Sequence, residues 1–126
     1  MTAQKPYELA LALMDEIDTD GTINATKTAF YSGKAPRLID LLQLELAHIE
    51  GVRVTNRIDA LTDTLEISDD TAMRILPYGL AWKFALADNL EDMYLDYGIM
   101  YQKLQRGMRF DEQDVYDEYD VMDGMN

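Results

Sequence analysis

Two apolar ladders at helical spacing, separated by one tight corner, constrain this chain more than any other feature. In the first, Met73, Leu76, Leu80, Phe84 and Ala87 recur at intervals of three, four, four and three. In the second, Leu90, Tyr94, Tyr97, Tyr101 and Leu104 recur at four, three, four and three. Side chains three and four apart share one face of an α-helix, so each ladder makes a helix with one apolar side. Asp88 and Asn89 lie between them, where their side-chain oxygens can accept from the amides exposed at the start of the second helix. So short a connection turns that helix back along the first, and the spacing predicts a long α-hairpin with facing ladders. Pro77 either kinks the first of these helices or marks its true start, and Ser68 or Asp69 opens the helical run before it.

The rest of the chain supplies the other layer of a bundle. "PYELALALMDEID" carries Leu9, Leu13 and Ile17 at four-residue spacing, with Ala10 and Met14 beside them, and reads as a first helix that opens on proline. Thr22 or Asn24 is placed to cap a second helical stretch. Gly33 and Pro36 interrupt that stretch, because glycine weakens a helix and proline disfavours helical geometry at the preceding Ala35; a kink or break is expected before "PRLIDLLQLELAHIEG". There Leu38, Leu42, Glu45 and Ile49 form one stripe, while Leu41 and Leu44 lie off it. Apolar groups on two faces suggest a helix covered on one side by its own domain and on the other by a neighbour. Gly51 is the natural stop. Residues 52–68 alternate briefly at Val52 and Val54 and then lose any period, which predicts an extended loop with a short strand or β-hairpin. The fold class is therefore mainly α: a small helical bundle with a long α-hairpin, an extended loop or short β-hairpin, and an acidic C-terminal tail.

Charge narrows the list of functions. The 126 residues carry a formal charge of -13, and a surface that acidic repels nucleic acid rather than gripping it. With no cysteine there is no disulfide framework and no thiolate metal site. The N-terminal region lacks the apolar run of a signal peptide or membrane span, and a soluble intracellular protein is expected. The chain divides into a helical domain, 1–106, and a tail, 107–126. From Gly107 onward seven carboxylates face the single Arg109. Phe110, Val115, Tyr116, Tyr119 and Met122 are nevertheless large, and the last four fall along one side of a helix. Two readings stand together: a segment that folds on a partner, and plain disorder.

Motifs with chemical content are incomplete. "EIDTDGTINATK", residues 16–27, places Glu16, Asp18 and Asp20 at the first three ligand positions of a calcium loop, with Gly21 at the sixth. Its twelfth position is Lys27, which removes two oxygens and repels the ion, so the favoured reading is a helix end followed by an Asp-Gly turn. Glu45 and His48 have the Glu-x-x-His spacing of a di-iron bundle, but that site needs two such pairs and His48 is the only histidine; a partly buried histidine on an apolar helix is favoured. Serines are limited to Ser32 and Ser68, too sparse for a hydrolytic triad. No glycine-rich phosphate loop follows a strand, and the tyrosine ladder is core rather than a ligand cage. The chain is expected not to be an enzyme and to hold no cofactor or metal.

The segment "LPYGLAWKFALADNLEDMYLDYGIMYQKLQ", residues 76–105, resembles the head-tail connector, or adaptor, family of long-tailed bacteriophages. In that family "LPYGLA" opens a helix, an Asp-Asn type corner follows, and a tyrosine-bearing helix returns. The preceding part is similar too: a "T..Y..KAP..I..L..E" pattern falls on Thr28, Tyr31, Lys34, Ala35, Pro36, Ile39, Leu42 and Glu45. The likeness spans most of residues 9–105 and rests on apolar spacing and punctuating residues, not on a catalytic signature. It implies a virion protein of the head-tail junction that forms a homo-oligomeric ring, a dodecamer, beneath the portal protein and extends the channel through which DNA leaves without specific binding. The next neck or tail-completion protein is its other partner. Carried onto this chain, the tail docks on a neighbour through Phe110, Tyr116, Tyr119 and Met122, and Lys34, Arg37, Arg53 and Arg57 are candidates for contact between acidic subunits. The alternatives are an acidic DNA-mimic inhibitor and a regulatory binding module.

Overall fold

The computed structural model describes residues 1–15, 23, 28–90 and 95–108. Helix α1 spans Gln4–Leu13, α2 Ala29–Glu50, α3 Asp69–Arg74 and α4 Leu76–Ala87, and residues 95–108 are helical again. No strand occurs among the described residues; a single antiparallel bridge joins Thr2 to Thr64. The fold is mainly α, as the apolar spacing predicts.

Helix α4 is the axis of the core. Leu76, Pro77, Gly79, Leu80, Ala81, Phe84 and Ala85 are all buried, and a helix apolar around most of its circumference must be covered on several sides. Helices α1, α2 and α3 each pack against it. Tyr7 of α1 and Tyr31 of α2 meet the Phe84 ring at centroid distances of 6.3 and 4.8 Å. The returning helical segment closes the remaining side: Trp82 lies 6.0 Å from Tyr101, and Gly79 and Gly98 back onto Tyr101 and Trp82 respectively. Leu76, Leu80, Phe84 and Tyr101 of the two ladders are buried, Leu90, Tyr97 and Leu104 are partly so, and Tyr94 lies outside the described residues. Met73 and Ala87, at the ends of the first ladder, are exposed.

Local punctuation accounts for the boundaries. Ser68 caps α3 by accepting from the Thr71 amide at 3.2 Å, with Asp69 and Asp70 in the first turn facing the positive end of the helix dipole. Ile75 separates α3 from α4, and Pro77 occupies the first turn of α4, where its missing N–H costs nothing. Asn89 takes a left-handed φ of 55°. Beyond it the Leu90 amide donates to the Ala85 carbonyl at 2.9 Å, so the corner closes α4 with paired carbonyls. Gly51, φ 76°, ends α2 the same way, the Val52 amide donating to Ala47 at 2.9 Å.

Of the kink or break expected before Pro36, the break does not occur: helix α2 runs continuously through Gly33 and Pro36. Proline inside a helix costs about 3 kcal/mol, and the compensation is tertiary. Tyr31, Ala35 and Ile39, which straddle the proline on one face, are all buried against the core. Gly33 has no such role, since a Cβ built there meets nothing within 4 Å. Gly33→Ala should therefore raise unfolding free energy by about 1 kcal/mol, measured by urea denaturation. The predicted stripe also shifts: Glu45 is exposed, and Tyr31, Ala35, Ile39, Leu42, Leu46 and Ile49 form the buried face.

Residues 51–68 form the extended loop that their lack of period predicts, without a β-hairpin. Carboxylates take the place of a partner strand. Glu66 accepts from the Thr55 and Asn56 amides at 2.7 and 3.0 Å, and Asp63 from those of Asp59 and Ala60 at 2.8 and 2.9 Å. From α2, Asp40 accepts from the Ile58 amide at 2.9 Å and Gln43 from that of Glu66 at 2.6 Å. Ile58, Leu65 and Ile67 are buried beneath. Four side-chain acceptors thus satisfy donors that a ladder would otherwise pair.

Asp40 joins this loop to a charge. Arg57 donates to its two oxygens at 2.9, 2.8 and 2.5 Å, and that hydrogen bonding holds the Asp40 carboxyl below its ordinary 3.8. Glu66 and Asp63 are lowered by the bonds they accept. A depressed carboxyl contributes stability that is present above its unfolded value and lost as pH falls through its folded one. Unfolding free energy should accordingly decline as pH drops below about 4, and Asp40→Asn should flatten that decline. Chemical denaturation across pH 5 to 2 checks it, and equal slopes in both proteins would count against the Asp40 assignment.

Candidate interaction surfaces

The candidate site is a set of surfaces rather than a pocket with chemistry. On the outer side of α2, Phe30, Lys34, Arg37 and Leu41 recur at four, three and four residues and are exposed, forming one continuous line along the helix. Lys34 Nζ sits 4.1 Å from the centre of the Phe30 ring, a cation–π arrangement. Leu41 is 61% exposed, so the outward apolar group expected on this helix is present. In a chain of net charge -13 the line is an apolar strip carrying two cations.

A second outward face lies on the returning segment. Leu95 and Ile99 are 57% and 63% exposed, with Met100, Lys103 and Arg106 exposed beside them. Neither apolar ladder includes the residues of this face. Its signal was available: Leu95 and Ile99 are four apart and off the Tyr97–Tyr101 line, so a helix that buries one cannot bury the other.

The predicted contact residues separate. Lys34 and Arg37 share the α2 strip. Arg57 is held within the chain by Asp40, which leaves it less free to set register with another subunit, and Arg53 is exposed on the loop. Phe110, Tyr116, Tyr119 and Met122 lie outside the described residues. So does the calcium-like loop, except Ile23.

Among the described residues the titratable groups do not converge on one point. His48 is exposed, not partly buried as expected, because position 48 falls on the outward side of α2. Glu45, also exposed, accepts from Gln105 Nε2 at 2.5 Å. The Tyr101 hydroxyl is buried; burial pushes its phenol up, and the nearby Glu45 carboxylate acts in the same direction. Tyr97 instead donates to the Leu13 carbonyl at 2.6 Å, satisfying an acceptor at the end of α1 and tying that end to the returning segment. An open groove of about 410 Å³ between α1 and the α3–α4 junction is lined by Leu9, Leu13, Met73, Pro77 and Tyr78, with Arg74 at its edge. Among the described residues no group of three or more histidine, aspartate or glutamate side chains is placed to hold a metal ion, and no helix is long and apolar enough to cross a membrane.

No protein-family model matches the chain, and no curated protein or solved structure matches it.

Proposed function

We propose that this chain is a structural subunit of a phage head-tail connector: a non-enzymatic protein that assembles into a homo-oligomeric ring beneath the portal and lengthens the DNA exit channel. The observation that carries the reading is the resemblance of residues 76–105 to the connector pattern of an "LPYGLA" helix, an Asp-Asn corner and a tyrosine-bearing return. The helix-corner-helix of α4, Asn89 and residues 95–108 is compatible with it.

Two further features support it. Outward apolar residues stand on two separate helical faces, at Leu41 and at Leu95 and Ile99, and a ring subunit needs two different faces because each copy meets one neighbour on either side. The acidic surface disfavours capture of a passing duplex. The portal protein and the next neck or tail-completion protein are the heterologous partners in this reading, with the tail from Gly107 as the docking element. A DNA-mimic inhibitor is the rival that charge also favours. Mimicry, however, wants carboxylates spaced over a folded face, and here seven of them lie in the tail.

Mass measurement of the full chain, with and without a portal ring, tests the proposal. A connector adds a ring's mass to the portal, and removal of residues 108–126 abolishes that addition while leaving helical circular dichroism intact. A chain that stays monomeric beside the portal and displaces DNA from a nuclease is a mimic.

A further inference from the structure

We propose that the acidic segment 109–126 packs back along the outer strip of α2 in its own chain, its carboxylates on Lys34 and Arg37 and its aromatic groups against Phe30 and Leu41. The chain enters that segment at a telling place. Met108, the last residue described, lines a groove with Ile49, Glu50 and Val52 at the C-terminal end of α2, and Asp70 lies across from it. The groove itself does not suit the segment, in which seven carboxylates face only Arg109: Glu50 and Asp70 line it, and its one cation, Arg74, is already paired with Asp70 at 3.1 Å. Glu50 is moreover already engaged with the Ser68 amide and hydroxyl. The exposed cations that α2 offers are further up the same helix. Arg37 is about 20 Å from Glu50 along the axis at 1.5 Å per residue, and eighteen residues in extended form span about 60 Å. The segment therefore reaches the whole strip without leaving its own subunit.

Composition matches along that path. The strip sets two cations, Lys34 and Arg37, between two apolar groups, Phe30 and Leu41, and the segment intersperses aromatic or aliphatic groups with carboxylates in "RFDEQDVYDEYDVM". Opposite charge selects the face, and the aromatic side chains supply contact area at low entropic cost. The other outward face, around Leu95 and Ile99, also carries cations in Lys103 and Arg106, which makes it the natural control. On the connector reading, on which this last step alone rests, the portal competes with α2 for the segment, so the strip is covered in the free subunit and uncovered once the tail is engaged.

The absence of cysteine makes the test direct in the full chain. A nitroxide attached at Gly124→Cys should broaden backbone amide signals around Phe30, Lys34 and Arg37, and one at Gln113→Cys should act nearer Ile49. Mixing spin-labelled, isotopically silent chain with isotopically labelled, unmodified chain should give no broadening, because the contact is within one chain. Lys34→Glu with Arg37→Glu should abolish the effect while helical circular dichroism is retained, and high salt should weaken it. Broadening centred on residues 95–106, broadening that appears only in the mixed sample, or none in any sample overturns the proposal. Each of these readouts is taken on the free chain with no portal present, so failure here and failure of the connector reading are told apart.

Discussion

Phe84→Ala should lower the unfolding free energy by about 3–5 kcal/mol, the range for removing a fully buried aromatic ring. Phe84 has no exposed surface and is the point where three helices meet. Its ring contacts Tyr31 of α2 in a tilted arrangement and Tyr7 of α1 edge-on, with an interplanar angle of 88° in the second case. The cavity left by alanine has rigid walls, since Tyr31 is also anchored by its hydroxyl donating to Asp88 at 2.9 Å. For a domain of this size, total stability is about 5–15 kcal/mol, so the substitution removes a large part of it. Urea denaturation followed by circular dichroism should show a lower midpoint with an unchanged slope. Phe84→Leu, which retains most of the volume, should cost markedly less. A loss under about 1 kcal/mol for alanine would mean that the three helices do not converge on this ring.

Much of that junction was legible in the sequence, and particular residues show why. Leu76, Leu80, Phe84 and Tyr101 announce themselves by spacing, because a periodic apolar face has to be buried wherever the helix finally packs. The stops at Gly51 and Asn89 are equally local: both need a left-handed backbone, which glycine and asparagine supply at low cost. Less legible were the places where local preference met a tertiary contact. Pro36 argues for a break, yet the burial of Tyr31, Ala35 and Ile39 around it outweighs the lost hydrogen bond. Residues 51–68 have no period because their amides are paired by Asp40, Gln43, Asp63 and Glu66, and an acceptor side chain recruited from another element leaves no periodic mark. The interaction surfaces were legible only in part. Leu41 stood out as an apolar residue off its stripe, whereas Leu95 and Ile99 were hidden by the stronger tyrosine ladder beside them. Charge pointed to Lys34, Arg37 and Arg57 alike; only the fold distinguishes Arg57, whose guanidinium is already committed to Asp40.

The hairpin itself stands on a contact that composition does not reveal. Gly79→Ala should destabilise the protein by about 2 kcal/mol, even though alanine is favoured over glycine in a helix by about 1 kcal/mol. A Cβ at position 79 would lie 2.7 Å from Cε2 and 2.9 Å from Cδ2 of Tyr101, well inside van der Waals contact. Tyr101 is 1% exposed and has Trp82 against it at 6.0 Å, so the ring has nowhere to retreat and the overpacking cost exceeds the gain in propensity. The arrangement is reciprocal: Gly98 would place a Cβ 2.8 Å from Trp82 Nε1. On each helix the glycine and the aromatic are three residues apart, Gly79 with Trp82 and Gly98 with Tyr101, so each helix offers its gap to the other's ring and the antiparallel register is fixed twice. Trp82 is only partly buried and can swing outward, which makes Gly98→Ala the milder change. Tyr101→Leu should relieve Gly79→Ala, and a double-mutant cycle should return a favourable coupling between the two substitutions. If the losses simply add, the ring and the glycine are not in contact. The register of the returning segment would then depend on the Tyr97–Leu13 bond instead, and Tyr97→Phe would become the damaging change.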